Sequence, residues 1–173
     1  LELRISPYET AKRTKEEIDM LDQAIDPEKQ FCNSYYYVLH FIKKPDVEKV
    51  DKLFCVLRHA KLRREICEKT MALLQFRKQY PKSACRVLGI DAAAQEIGCR
   101  PEVFAQGFRT LKNDTCFGNT DKGYIKLPQL HVTYHVGEDF LDVIDGLRAI
   151  NEAVLFFKYG LRRPFGTCFG FRN

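Results

Sequence analysis

The chain has 173 residues, 45% of them hydrophobic, and a formal net charge of +5. This length allows one domain with a hydrophobic core, but it is short of the roughly 250 residues of a complete eight-stranded α/β barrel. No apolar run approaches the roughly 18 residues of a membrane span and no secretion leader is recognisable, so we expect a cytoplasmic protein without a membrane partner. The seven cysteines are scattered and are expected to be mostly buried thiols.

Four strand patterns are separated by helix patterns. The first strand is expected over residues 1–7 (LELRISP), where apolar and polar residues alternate, and the second over 35–42 (YYYVLHFI), whose apolar run is typical of a strand buried on both faces. The third is expected over 86–91 (RVLGID) and the fourth over 130–135 (LHVTYH). This alternation predicts an α/β fold with right-handed βαβ units and about four parallel strands.

The first two helices are placed by capping signals and a proline. Thr14 and Glu17 have the spacing of a capping box, which predicts the start of the first helix. A long second helix is expected from about residue 54 to residue 79, because Pro81 then ends it.

Two more helices follow the third and fourth strands. Pro101 suits the first position of a helix, and residues 140–157 have helical periodicity. Residues 113–123 are expected to form a polar loop. A basic cluster at the start of the long helix is expected to be a solvated helix face and not a nucleic-acid-binding patch. It consists of Arg58, Lys61, Arg63 and Arg64.

The end of the fourth strand carries the strongest candidates for chemistry. His135 lies where a strand leads into a helix, Gly137 permits a sharp turn, and Glu138 is expected to face the same hollow as His135. An imidazole with a nearby carboxylate is the minimum set for metal-assisted hydrolysis. Spacing alone also allows a structural histidine and a helix-capping glutamate. His131, about 13 Å from His135 along a strand, is expected to be a core or bottom-face residue.

Three motifs point to a known family. Residues 135–138 (HVGE) resemble the His-Ala-Gly-Glu motif on the fifth barrel strand of adenosine deaminases, which belong to the amidohydrolase superfamily. Residues 89–96 (GIDAAAQE) resemble the fourth-strand motif Gly-x-Asp-Leu-Ala-Gly-x-Glu of that family, and residues 1–7 its second-strand Glu-x-Arg-x-x-Pro. The sequence around 98–104 and 135–140 is most similar to large, divergent bacterial members, which include the deaminase component of the RADAR antiphage defence system.

The resemblance implies a zinc-dependent purine nucleoside or nucleotide deaminase. His135 would be a zinc ligand, and Glu138 would donate a proton to N1 of the purine. Hydroxide supplied at the zinc would then replace the 6-amino group of adenosine, AMP or ATP, giving an inosine-type product and ammonia. Ala94 occupies the position of a family glycine whose backbone N–H contacts the purine, so Ala94 and Gly137 are the expected substrate-binding residues.

The resemblance covers residues 1 to about 159 and implies a partial TIM-type (β/α)8 barrel, roughly its second to fifth strands. Asp91 and Glu96 match the fourth-strand motif and are expected to be structural supports. The other zinc ligands of the family and its sixth-strand Gly-His have no counterpart here, so we expect a fragment that is inactive and binds zinc weakly. The aberrant tail, residues 160–173, is either an irregular loop or a frameshift, since a one-base shift of a suitable codon choice restores Gly-His.

Two alternatives to the deaminase reading remain. One is a non-catalytic barrel that acts as a scaffold or assembly module of a larger bacterial defence complex. The other is an amidohydrolase that acts on a different amine or amide, because a fold does not determine a substrate. The parent protein is expected to be an oligomer. The unpaired outer edges of the first and last strands also predict self-association of the isolated piece.

Overall fold

A computed structural model describes residues 1–28, 30–31, 34–45, 58–114, 117–121 and 123–158. Five helices and six strands lie in these ranges, and strands and helices alternate along most of the chain. In chain order they are β1 (Glu2–Ile5), α1 (Ala11–Ile25), β2 (Tyr36–Ile42), α2 (Ala60–Gln79), α3 (Pro81–Ala84), β3 (Val87–Ala93), α4 (Glu102–Lys112), β4 (Phe117–Thr120), β5 (Gly123–Lys126), β6 (His131–Val132) and α5 (Val143–Lys158).

The main sheet has four parallel strands in the order β1-β2-β3-β6. Each new strand is added on the same side of the previous one, so the order does not reverse as it does in a doubly wound sheet. Strand β6 is short, but its pairing continues beyond Val132 because the N–H groups of Thr133 and His135 donate to Ile90 O and Ala92 O, each at 3.0 Å. The predicted α/β fold with four parallel strands is therefore confirmed, and it is compatible with part of an α/β barrel.

The helix predictions are confirmed in position, with one wrong cap. Helix α1 is capped by Thr10, whose hydroxyl accepts a hydrogen bond from Arg13 N at 3.3 Å. Thr14 is instead buried inside the helix and donates its hydroxyl to Thr10 O. Helix α2 is confirmed from Ala60 to Gln79, whereas His59, with a φ of +57°, precedes the helix. Residues 54–57 of the prediction lie outside the described residues. Its exposed basic start fits the expected solvated face.

A hairpin replaces the predicted polar loop. Residues 117–120 and 123–126 pair as the antiparallel strands β4 and β5. Gly123 has a φ of +116°, a backbone conformation that other residues rarely adopt, and this allows the tight turn. Gly118 lies so close to Pro81 that an added Cβ would be 2.2 Å from the proline ring. The hairpin therefore depends on the tight turn at Gly123 and on the close contact between Gly118 and Pro81. Neither feature produces an apolar pattern in the sequence.

An aromatic core fixes the direction in which the strand ends point. Phe41 of β2 and Phe108 of α4 have ring centroids 5.2 Å apart, and Tyr134 lies 4.8 Å from Phe157 of α5. Phe104 packs against both Phe108 and Tyr134. Since successive strand residues point to opposite faces of a sheet, the neighbours of Phe41 and Tyr134 point away from these helices.

The remaining surface expectations have mixed outcomes. Cys99 is buried, whereas Cys85 is half-buried and Cys67 is exposed, so the prediction of mostly buried thiols is wrong for the described cysteines. His131 is exposed at the start of β6, which agrees with the expected bottom-face position and not with a place in the core. None of the helices in the described part of the chain combines the length and the apolar character needed to cross a bilayer.

Lys112 makes the stability of the fold depend on pH. Its side chain is buried at the end of α4 and donates to Phe157 O, and burial lowers the pKa of this lysine to about 8. Unfolded lysine holds its proton up to about pH 10.4, so the unfolded chain binds more protons between these two values and the folded state gains stability as the pH rises.

The test compares the unfolding free energies of Lys112→Met and the unsubstituted chain. Between pH 7 and pH 10 we expect their difference to change by about 2–3 kcal/mol in favour of the unsubstituted chain, because only that chain carries the buried lysine. Urea unfolding of both chains at several pH values measures this difference. A difference that is constant with pH would contradict the assigned burial of the ammonium group.

Candidate functional site

Four adjacent parallel strands each contribute one polar side chain near their carboxyl ends. Arg4 comes from β1, His40 from β2, Asp91 from β3, and His135 from the segment that extends β6. His40 and Asp91 are directly paired across the sheet, and His135 N bonds to the residue after Asp91. We call these four residues the edge cluster. Successive residues of a strand point to opposite faces of the sheet, and the neighbours of these four residues lie on the face that packs against the aromatic core. The four side chains therefore point away from that core.

Asp91 is the centre of the edge cluster. Its side chain is 0% exposed, and its Oδ2 lies 2.6 Å from Arg4 Nη1, 3.0 Å from His135 Nδ1 and 3.7 Å from His40 Nε2. Its Oδ1 is buried and accepts no hydrogen bond from any described residue. A buried carboxylate is costly unless it is paired, and in this arrangement the Arg4 guanidinium supplies the opposite charge.

Each of the two histidines of the edge cluster, a residue type that commonly binds metals, has one buried ring nitrogen. Arg4 Nη1 lies 3.3 Å from His135 Nε2, and a guanidinium can only donate, so Nε2 accepts and the ring proton is on Nδ1, beside Asp91. Burial lowers the pKa of His40, and the Asp91 carboxylate opposes this shift only in part. The two rings are stacked with centroids 5.5 Å apart. Neither His40 Nε2 nor His135 Nδ1 has a well-aligned hydrogen bond among the described residues.

The turn after His135 is held from two sides. The Glu96 carboxylate accepts hydrogen bonds from Gly137 N at 2.9 Å and from Glu138 N at 3.1 Å. Lys43 Nζ donates to His135 O at 2.5 Å and lies 3.6 Å from Glu96 Oε1. The Lys43 side chain is fully buried, and burial lowers the pKa of its ammonium group although Glu96 opposes the shift. Glu96 therefore has the structural role that was expected of it.

Two backbone positions in the site have the left-handed conformation that favours glycine. Gly137 has a φ of +82°, and a Cβ there would lie 3.2 Å from Ile150 Cδ1. Ala94, which follows β3, has a φ of +79° and is exposed. Ala94 is also the position at which the deaminase motif has glycine. The backbone conformation of this residue thus agrees with the motif, and its methyl group is the departure.

The structure places His135 in the edge cluster and leaves the position of the Glu138 carboxylate relative to it untested. His135 lies in the edge cluster beside Asp91, and its side chain is 25% exposed. Glu138 is exposed, and no described side chain donates a hydrogen bond to its carboxylate. Its backbone N–H is fixed by Glu96, which leaves the acid outside the contacts of the edge cluster. That Glu138 shares a hollow with His135 therefore stays a prediction.

Sequence reasoning did not single out Arg4, His40 or Lys43. His40 interrupts the otherwise apolar run YYYVLHFI, and a polar residue in a strand buried on both faces is a usable signal of a site. Arg4 lies in the Glu-x-Arg motif, but its contacts with residues 87 and 131 positions away could not be read from local spacing. Lys43 follows β2 and has no distinguishing pattern.

Comparison with known proteins found no matching family model and no matching curated protein. The resemblance to the deaminase family therefore rests on the three motifs alone. The edge cluster itself offers one carboxylate and two imidazoles, whose ligand atoms all lie within 4.8 Å of one another. Such a nitrogen and oxygen donor set fits zinc, so the fold and the donors are compatible with the metal that the motifs imply.

Proposed function

We propose that this chain is part of a zinc-dependent purine deaminase in which His135 binds the metal and Glu138 protonates the base. The observation that supports this most is the position of His135, at the carboxyl end of the last of four parallel strands and beside the buried Asp91. In α/β barrels the chemistry takes place at this end of the strands. We also propose that the sheet is about half of such a barrel.

His135 and its neighbours would orient the reacting groups. The Asp91 carboxylate, whose Oδ2 lies 3.0 Å from Nδ1, would help to fix the position of the imidazole ring. Lys43 fixes the backbone carbonyl of the same residue. Bound zinc would supply hydroxide near neutral pH, because it lowers the pKa of a water ligand to about 7.

Glu138 would transfer its proton to N1 of the purine, which makes C6 electrophilic. The double hydrogen bond from Gly137 and Glu138 to Glu96 sets the direction in which this acid leaves the turn. Because Glu96 already accepts from Gly137 N, Gly137 would serve the substrate through its missing side chain and not through its N–H. Ala94 would present its backbone to the base. Covering of the exposed Glu138 by the substrate or by further residues is required for this step.

A second function is favoured by the present state of the edge cluster. A guanidinium from Arg4 contacts both Asp91 and His135, and Glu138 is exposed to solvent. Both features suit a barrel that no longer performs catalysis and acts as a scaffold or assembly module in a larger bacterial defence complex. Such a protein would be expected either to bind purines without converting them or not to bind purines at all.

Deamination by the full-length protein that carries this chain distinguishes the two functions. The zinc-loaded protein is incubated with adenosine, AMP and ATP, and ammonia and the inosine-type product are measured. The deaminase proposal predicts stoichiometric release of both from at least one of the three. The absence of product from all three with folded, zinc-loaded protein would refute it. The 173-residue chain alone is expected to be inactive, because a catalytic zinc usually needs about three protein ligands and an open position.

A further inference from the structure

We propose that His40, Asp91 and His135 form a binding site for one divalent cation of the zinc class, and that the Arg4 side chain fills this site when no metal is bound. The proposal adds His40 and Asp91 as ligands and Arg4 as an internal competitor. It shares His135 with the proposed deaminase function, but it requires no substrate and no purine chemistry.

The distances between the three donors suit a single ion. Asp91 Oδ2 lies 3.0 Å from His135 Nδ1 and 3.7 Å from His40 Nε2. Bonds of about 2.0–2.2 Å in a tetrahedral zinc site place neighbouring ligand atoms about 3.4 Å apart. These two separations lie on either side of that value, and all three ligand atoms lie within 4.8 Å of one another, so a modest side-chain adjustment brings the donors to metal-binding geometry.

The two imidazole donors are buried atoms without a hydrogen-bond partner among the described residues. They are His40 Nε2 and His135 Nδ1. The Asp91 side chain between them is 0% exposed, and its Oδ2 is held by Arg4. Because unsatisfied buried polar atoms are unfavourable, a cation that binds both ring nitrogens is favoured.

Arg4 competes with a cation for the Asp91 carboxylate. Its Nη1 is 2.6 Å from Asp91 Oδ2, the proposed ligand atom, and 3.3 Å from His135 Nε2, so its positive charge opposes an ion bound by those residues. The Arg4 side chain is 38% exposed and its Nε already bonds to Glu2 at 2.7 Å, so it has an alternative partner at the surface. Once Arg4 leaves, Nε2 no longer has to accept its hydrogen bond, and the ring proton can move there and free the Nδ1 lone pair.

The donor set selects the metal. Two imidazoles and one carboxylate suit Zn²⁺, Co²⁺ or Ni²⁺, whereas Mg²⁺ and Ca²⁺ prefer a shell of oxygen atoms. Because the Arg4 guanidinium competes with the metal, the apparent affinity is the intrinsic affinity multiplied by the fraction of molecules in which the site is open. If Arg4 fills the site in about 90–99% of molecules, its removal raises the apparent affinity about 10- to 100-fold.

Cobalt titration of the full 173-residue chain tests the proposal, because Co²⁺ gives visible absorption bands that depend on its ligands. We expect weak binding by the unsubstituted chain and about 10- to 100-fold tighter binding, at one ion per chain, by Arg4→Met. Arg64→Met, which removes one exposed positive charge from α2, controls for the change in net charge and should leave the affinity unchanged.

The ligands are tested in the Arg4→Met background. His40→Gln should weaken cobalt binding at least about tenfold and alter the bands, whereas His131→Ala, at the exposed histidine, should do neither. Circular dichroism establishes that each variant is folded. Binding by Arg4→Met that is no tighter than that of the unsubstituted chain, or that survives His40→Gln, overturns the proposal. Either result leaves the deaminase proposal standing, since that proposal takes only His135 from this chain as a metal ligand.

Discussion

Replacement of Glu138 by Gln in the full-length protein is expected to reduce the rate of purine deamination by about 10²–10⁴-fold. Glutamine keeps the size and hydrogen-bonding capacity of the side chain, but it cannot transfer a proton to N1 of the base. The turn itself should be preserved, because Glu96 binds the backbone of residue 138 and not its side chain. The change should therefore appear in kcat, while the affinity for the purine is largely retained.

The neighbouring carboxylate provides the matched control. Asp139 is exposed like Glu138 and follows it directly in the chain, so Asp139→Asn makes the same chemical change one position away. We expect that variant to retain nearly all activity. Equal losses in the two variants, or no loss in Glu138→Gln, would mean that the carboxyl group at position 138 is not the proton donor.

Replacement of Asp114 by Ala is expected to destabilise the chain by about 3–5 kcal/mol. Arg77 of α2 is 0% exposed, and its Nε donates to Asp114 Oδ2 at 2.9 Å. A second nitrogen of the guanidinium donates to Pro128 O at 2.8 Å, while Nη1 has no partner among the described residues. Removal of the carboxylate leaves a buried positive charge with only carbonyl contacts, which is a strongly unfavourable arrangement.

The opposite substitution should cost less. Arg77→Met removes the buried charge and keeps an apolar side chain of similar length, and Asp114, whose side chain is 15% exposed, can then be hydrated. The double variant should recover a large part of the loss caused by Asp114→Ala, because no charge is then left without a partner. Urea unfolding of the four chains gives the coupling energy. Independent, additive effects of the two substitutions would contradict the buried ion pair.

The strands and helices could be predicted because their signals are local. The apolar run of β2 and the helical spacing in α5 each involve residues only a few positions apart. Because strand patterns and helix patterns alternate along the chain, helices are expected to pack on the sheet and bury those residues. The first helix shows the limit of such signals. Thr14 has a capping-box spacing, but Thr10 four residues earlier is the actual cap, although no glutamate or glutamine lies three residues after it.

The arrangement of the edge cluster could be predicted only in part. Asp91 and His135 were found because motifs contain them, and Glu96 was correctly expected to be a support. Arg4 and His40 meet them only through the register of four strands, which no local pattern encodes. The position of Glu138 likewise depends on a contact that local spacing does not encode, because Glu96 binds the backbone of its turn.

We expect His135 to belong to a metal site at the carboxyl ends of the four parallel strands. Diffraction from crystals of the Arg4→Met chain grown with zinc, recorded on both sides of the zinc absorption edge, tests this most directly. One anomalous peak is expected within about 2.2 Å of a ring nitrogen of His135, with His40 and Asp91 beside it. A peak confined to the exposed His131, or no peak near residue 135, would contradict it.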